Sequence, residues 1–408
     1  MTDKASAFLP YGRQCIDDDD IDAVTRVLRS DYLTTGPAVT DYETDFAART
    51  GARHAVSCSS GTAALHLAAM ALDLGPGDAV IVPTVTFLAT ANAARYVGAE
   101  VVFADVDAET GLLTPETTMD AIADAKRRGF VPRAIFPVHL NGQCVDMERL
   151  SDIASAHDLF LVEDACHALG TTTRTSTGLE IKTGACAHSD MAIFSTHPVK
   201  AIATGEGGMV TTGNDDFARR LATFRNHGMI RSADGFAMHG MAYADDGSPN
   251  PWHYEMQEPG FNYRLSAIHS ALGSSQLRKL DRYIAQRRAI VAEYDRQIAK
   301  LSNIVQPVGR VAACDPAWHL YVVRIDFSAL HRDRASVMKR LGEQGVGSQV
   351  HYIPVHLQPY YSERYGAPEL PGAMRYFSSV LSLPLFPDMT PDDVTRVVEA
   401  LASACEHD

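Results

Sequence analysis

The chain has no run of eighteen apolar residues anywhere in its 408 positions, so no stretch of it reads as a membrane-spanning helix. Its first residues, Met1-Thr2-Asp3-Lys4, do not open an apolar signal core, which leads us to expect a cytoplasmic protein. Basic residues are outnumbered: 36 Lys and Arg stand against 50 Asp and Glu, a formal net charge of −14. A body this acidic repels phosphate backbones and anionic lipid, so neither nucleic acid nor a membrane is an expected partner. Small anionic ligands stay open, because a few local donors outweigh a distant field. Cysteine is sparse; the seven residues are irregularly spaced and odd in number, which is no disulfide framework. Cys166-His167 and Cys186-Ala187-His188 carry metal-ligand types, yet no CxxC or HxxxH pair accompanies them, and no metal site is expected. Internal repeats, low-complexity tracts, and both the Walker and the dinucleotide glycine patterns are missing too.

What is present is ordinary globular composition, 46% hydrophobic and 21% charged, at a length that suggests two or three domains. From residue 53 onward short apolar runs alternate with helical stretches. The runs are His54–Ser57, Ala79–Val82, Val101–Ala104, Ala134–Pro137, Leu159–Val162, Met191–Phe194 and Gly208–Thr211. Being apolar on both faces, they suit strands covered on both sides, and the alternation predicts an α/β fold with a mainly parallel central sheet. Past residue 265 the texture changes to one long helical stretch, Leu265 to Ile298, then a strand at Leu320–Ile325. A helix at Arg334–Gln344, a loop at His351–Tyr361 and a terminal helix capped by Thr390-Pro391 follow. We expect an N-terminal arm and large domain over residues 1–265 and a small C-terminal α+β domain over 266–408. Residues 229–260 read as a long loop.

Three stretches carry chemistry. Ser59–Leu65 follows a strand and opens a helix with small residues, an arrangement that binds phosphate through free N–H groups and the positive dipole end. A serine-capped helix that binds nothing would look the same. In Leu161–Leu169 an apolar strand ends in Glu163-Asp164, which puts a carboxylate at the carboxyl end of the sheet. There it could fix a cationic ring nitrogen, or Asp164 could simply cap a helix. In Phe194–Gly208, Lys200 lies just past a strand and before a Gly-rich turn. A lone lysine is structural more often than catalytic, but one confined near apolar walls shifts toward the nucleophilic free amine. Together the three suggest a pyridoxal 5′-phosphate (PLP) site, one element each for the phosphate, the pyridinium nitrogen and the aldehyde.

These motifs resemble those of the DegT/DnrJ/StrS sugar-nucleotide aminotransferases, a branch of the fold-type I PLP enzymes. The likeness runs from about Pro10 to the C-terminal helix. It rests on SGTAAL (60–65), EDACHALG (163–170), FSTHPVK (194–200) with GEGG (205–208), and GFNYR (260–264). It implies that Lys200 bonds to the cofactor and shuttles the proton, that Asp164 pairs with the pyridine nitrogen, and that His167 lies near the ring. It also implies that Phe87 stacks on the pyridine, that Gly61, Thr62, Ala63 and Ser195 hold the phosphate, and that Asn262 reaches the other subunit's cofactor in a homodimer with shared sites. Two positions depart from the family pattern: Thr196, where relatives carry a bulky aromatic, and Pro259.

Trp252–Met256 and Val350–Tyr361, with the more widely shared Ser30–Gly36, look most like the pseudaminic-acid branch. That likeness implies transfer from L-glutamate to C4 of a UDP-4-keto-6-deoxy-N-acetylhexosamine, the UDP-4-amino-4,6-dideoxy-N-acetyl-β-L-altrosamine transaminase reaction. Perosamine-, viosamine- and bacillosamine-type transaminases share the same constellation. A PLP-dependent sugar dehydratase is disfavoured by Lys200, because that branch has histidine there. Arg225, Arg231 and Arg264, with His227, His351 and His356, are candidates for carboxylate or diphosphate contacts, or for surface and packing roles.

Overall fold

The apolar runs become strands, and alternation along each strand decides which helices it meets. The structure, a computed structural model, describes residues 8–301 and 303–406. Helices α1 (Asp18–Leu28) and α2 (Pro37–Thr50) precede β1 (His54–Cys58), β2 (Asp78–Pro83), β3 (Glu100–Ala104), β4 (Val131–Ile135) and β5 (Phe160–Asp164). A side hairpin, β6 (Thr172–Arg174) and β7 (Glu180–Lys182), leads to β8 (Met191–Ser195) and β9 (Gly208–Thr212). The main sheet has the order β1-β9-β8-β5-β4-β2-β3. The strands from β3 to β8 run parallel, and β9 is antiparallel to both its neighbours. This is the mainly parallel α/β sheet expected. One strand is displaced: the run at 134–137 forms its strand at Val131–Ile135, pairing with Asp78 across an irregularity at Ala79/Val80. Pro137 then lies beyond the strand, where its carbonyl accepts the Asp164 N–H at 2.8 Å.

Because neighbouring strand residues point to opposite faces, Val80, Val82, Val101, Phe103, Met191 and Ile193 meet one set of helices. These are α3 (Gly61–Ala71) and α4 (Leu88–Tyr96), with Leu221 and Phe224 of a later helix on the same face. Ala79, Ile81, Val102 and Ala104 meet α5 (Pro115–Arg127) and α6 (Met147–His157) on the other face. Farther along that second face, Ala192, Phe194 and Met209 pack against Tyr42 and Phe46 of α2.

The segment expected as a loop at 229–260 follows α7 (Asp215–Phe224). It is mostly irregular but contains an antiparallel pair, β10 (Met229–Ile230) with β11 (Glu255–Met256), and one short turn of helix, α8 (His239–Ala242). Its organising group is Glu255, which accepts the Ala237 and Met238 N–H groups at 2.7 and 2.8 Å. Those bonds, the Ala237 one first, hold the carboxyl down to about 2.

The long helix expected from 265 to 298 is two, α9 (Ala267–Arg278) and α10 (Leu280–Ile298), broken at Lys279. At the break the Lys279 ammonium is bound by Asp17 and Asp20 at the start of α1, the second at 2.9 Å. Beyond it, β12 (Val305–Pro307), β14 (Tyr321–Ile325) and β15 (Val380–Leu383) form a small antiparallel sheet, while the intervening β13 (Cys314–Asp315) pairs with β6. Helices Arg334–Glu343 and Pro391–Cys405 pack on that small sheet through Val337, Leu341, Val397 and Leu401. The second carries the cap read from the sequence, Thr390 and Asp393 each accepting the other's backbone N–H. The two units we propose, 1–265 and 266–408, interlock: Leu9 sits in the core of the small sheet, and Leu277 and Ile284 pack with α2. Among the described residues no helix is long and apolar enough to cross a membrane.

The sheet meets α3 without a spacer. A Cβ on Gly208 would stand 2.2 Å from the Ser60 carbonyl oxygen and 2.9 Å from the Gly61 nitrogen. Gly208→Ala is therefore expected to cost roughly 1–3 kcal/mol, read as a lower Tm. Gly213→Ala, at a position with nothing within 4 Å of the added carbon, should leave Tm unchanged.

Candidate active site

One cavity, of about 510 Å³, opens at the carboxyl ends of the parallel strands, where α/β sheets hold ligands. Its floor begins at α3. Ser60 caps the helix, its Oγ accepting the Ala63 N–H at 3.1 Å. Gly61 and Thr62 line the cavity; their N–H groups, in the first turn, have no acceptor within the helix. Ser195 stands beside them: a Cβ on Gly61 would lie 2.9 Å from the Ser195 Cβ. The absence of side chains at Gly61 and Gly208 leaves a cradle of N–H and hydroxyl donors.

Opposite, β5 ends at Asp164. One carboxylate oxygen accepts the Thr90 hydroxyl at 2.7 Å and the other the Cys166 N–H at 3.2 Å. The preceding Glu163 turns away, bound to His139 Nε2 at 2.9 Å and to the Ser189 hydroxyl. The two acidic residues thus take different faces, as strand alternation requires.

Lys200 is carried on the connection between β8 and β9. That connection is closed at its base: Thr196 and Thr204 share a hydroxyl hydrogen bond of 2.6 Å, and the Thr204 N–H donates to the Thr196 carbonyl at 2.9 Å. Gly207 has no Cβ because one would stand 2.3 Å from Thr196 Oγ1. The departure at Thr196 is therefore accommodated by a threonine pair. Burial lowers the Lys200 ammonium from its ordinary value, against an opposing pull from Cys166 and Asp164.

His167, His319 and His351 stand on the walls, which His197 also lines. His167 and His319 lie with ring centroids 4.2 Å apart, and His167 Nε2 meets the Tyr352 hydroxyl at 3.1 Å. Nδ1 of both His167 and His319 is buried without a protein partner. His351 bonds the Ser382 hydroxyl at 2.8 Å. Burial, reinforced by the nearby Lys200 charge, holds His167 and His319 far below their ordinary values and pushes His351 down to about 3. Phe87 stands exposed at the rim, its ring 6.1 Å from that of Tyr352.

Of the residues singled out in the sequence, the fold brings Gly61, Thr62, Phe87, Asp164, His167, Ser195 and Lys200 to this cavity. Ala63 is buried behind the turn with its N–H already used. Asn262 is exposed outside the cavity, its backbone bridging to Asn226. Among the basic candidates only His351 lines the wall. Arg225 is committed to Glu43, which also accepts the Ser57 hydroxyl and N–H. Arg264 donates to Asn226 at 2.6 Å, and His356 bonds Thr84 at 2.7 Å. Thr90, Tyr11 and His319 were not singled out. No local pattern marks them: Tyr11 and His319 reach the cavity, and Thr90 reaches Asp164, through tertiary packing.

The residues present fit a pyridoxal phosphate: an anion cradle at a helix start, a fixed carboxylate across from it, a desolvated lysine, an exposed aromatic face and an orphaned imidazole nitrogen. His167, His319 and His351 are each protonated in the unfolded chain below about pH 6.5 but held neutral in the fold. Their stabilisation is therefore full above pH 6.5 and is lost as pH falls toward the depressed folded value. For His351 the loss is about 1.4 kcal/mol per pH unit below 6.5. Melting curves from pH 7 to 5 are expected to fall more steeply for the native chain than for His351→Asn.

Comparison with known proteins agrees with this geometry. The family described as DegT/DnrJ/EryC1/StrS aminotransferase matches residues 14–402. The spore coat polysaccharide biosynthesis protein SpsC of Bacillus subtilis (strain 168) is 37% identical over 408 residues, covering 98% of each chain. Among solved structures, Helicobacter pylori PseC, an aminotransferase involved in the biosynthesis of pseudoaminic acid, superposes with a TM-score of 0.85 at 25% identity, over 97% of this chain and 99% of that one. The PLP form of Spr1654 from Streptococcus pneumoniae gives 0.84 at 27% identity, over 98% of both chains.

Proposed function

The chain belongs to the DegT/DnrJ/EryC1/StrS aminotransferase family, and from that premise we propose that this PLP-dependent sugar aminotransferase carries an amino group from L-glutamate to C4 of a UDP-4-keto-6-deoxy-N-acetylhexosamine. The observation that carries the reading is Lys200, desolvated inside the cavity that also holds Asp164 and the start of α3. The substrate class is supported by the likeness to PseC and by SpsC, whose name places it in polysaccharide biosynthesis.

When bound, the cofactor supplies a carbonyl that accepts the amine and a ring that stores the electron pair released at the donor carbon. Gly61 and Thr62 offer N–H groups, and Ser195 a hydroxyl, to its phosphate. Asp164, fixed by Thr90 and the Cys166 N–H, holds a proton at the pyridine nitrogen through a charge-assisted bond. Lys200 would hold the group through Nζ, and as a free amine Nζ would take the proton from Cα of the amino acid and return one at the sugar carbon. His167 stays neutral, so beside the ring it offers a hydrogen bond without competing with Lys200 for charge. Phe87 shields the outer face. Asn262, exposed and away from this chain's own cavity, suits the shared-site homodimer we propose, in which it serves the partner's cofactor.

Lys200→Ala is expected to lose the visible absorbance of the lysine-bound cofactor and at least about 10²–10⁴-fold of turnover. Retained turnover overturns the assignment. Product analysis with glutamate and a panel of UDP- and dTDP-4-ketosugars tests the substrate. Amination of the UDP-N-acetylhexosamine is expected. Amination of a dTDP sugar alone would move the enzyme to the viosamine type and leave its chemistry intact.

A further inference from the structure

Away from the cavity, two thiols from distant parts of the chain face each other. Cys144 lies between β4 and α6; Cys314 begins β13, in the C-terminal unit. The Cys314 sulfur accepts the Cys144 N–H at 3.4 Å, and the Cys144 thiol sits 3.2 Å from the Thr183 hydroxyl. This proximity is compatible with the short span a disulfide bridges. The pair is asymmetric. Cys144 is 2% exposed, and burial raises its thiol well above the ordinary value. Cys314 is half-buried, and its thiol is lowered, chiefly by the hydrogen bond from Cys144. Cys314 also lines a separate hollow of about 270 Å³, with Arg174, Thr172, Glu180 and Asp315 around it. One sulfur is thus nucleophilic and reachable, and the other sits behind it, unreachable and in contact.

We propose that Cys144 and Cys314 form a redox modification site whose reactant is a low-molecular-weight disulfide entering the hollow at Cys314. The Cys314 thiolate attacks one sulfur of R–S–S–R, forming a Cys314–S–S–R bond and releasing RS⁻. Cys144 then loses its proton and attacks the Cys314 sulfur, forming the Cys144–Cys314 bond and releasing the second RS⁻. Two protein thiols are oxidised, and one R–S–S–R is reduced to two RSH. An external dithiol reverses both steps.

The new bond would lie within an existing weave between the two segments. Gln143 donates to the Gly309 carbonyl at 2.9 Å and accepts the Val311 N–H at 2.8 Å. The His319 N–H donates to the Asn141 carbonyl at 3.0 Å. On one side the weave reaches His319, stacked near His167. On the other, the Val145 N–H bonds Nδ1 of His139, which holds Glu163 beside Asp164. Oxidation therefore clamps the C-terminal segment 309–319 onto the loop behind the active site. The proposal stands on this pair alone and does not depend on the substrate reading.

The test treats the PLP-loaded enzyme with oxidised glutathione and maps disulfides by peptide mass. We expect a Cys144–Cys314 linked peptide and two fewer titratable thiols of the seven after unfolding, both reversed by dithiothreitol. Cys314→Ser should abolish the linkage. Cys144→Ser should trap glutathione on Cys314. Amide exchange over 140–145 and 309–319 should slow several-fold on oxidation in the native chain only. No linked peptide in the folded enzyme, linkage only after urea unfolding, or unchanged exchange in the linked form would each overturn the proposal.

Discussion

Desolvation at the carboxyl end of the parallel strands sets the charge of the groups around the cavity. His167, His319 and His351 are held neutral, Tyr352 keeps its proton, and the Lys200 ammonium is weakened. Asp164 takes two donors, one on each oxygen, whereas at Lys200 burial outweighs the opposing pull of Cys166 and Asp164. Moving either element by an ångström would disturb both, which is why the glycines at 207 and 208 matter more than their size suggests. They let β9 lie against Thr196 and against the first turn of α3 together.

Whatever depends on local order was legible in the residues. Six of the seven apolar runs became strands in place, and the α3 turn, the strand-end carboxylate and the lysine connection all arrived at one cavity. They could be read because a parallel sheet brings strand ends together without further instruction. Contacts made across the chain could not be read. Thr90 reaches Asp164 from α4, and His319 reaches His167 from the other unit. The break at Lys279 was hidden for the same reason. Helical periodicity continues through it, and the aspartates that bind Lys279 come from some 260 residues away.

For arginine the sequence left ligand contact and packing equally open. In an acidic chain with anionic ligands, Arg225 and Arg264 look like natural counter-charges, yet each has a partner inside its own chain, Glu43 and Asn226. Arg225 joins α7 to the end of β1 through the Ser57 carbonyl and hydroxyl, and to α2 through Glu43, so its charge organises packing beside the sheet. Sequence cannot distinguish an arginine that neutralises a fixed carboxylate from one that waits for a ligand; only the location of the carboxylate does so.

That leaves the cavity with an unusual charge pattern for a site serving phosphorylated and carboxylated molecules. Among the described residues lining it, Lys200 is the one lysine or arginine, and His167, His319 and His351 are held neutral. The groups this chain offers an anion there are dipoles: the first N–H groups of α3 and hydroxyls such as that of Ser195. Dipoles aimed inward cost no desolvation of a second full charge, so an anion can enter and leave without breaking an ion pair. The net charge of −14 is compatible with this arrangement because a distant field falls within about 8–10 Å at ordinary ionic strength, whereas the cradle acts at contact.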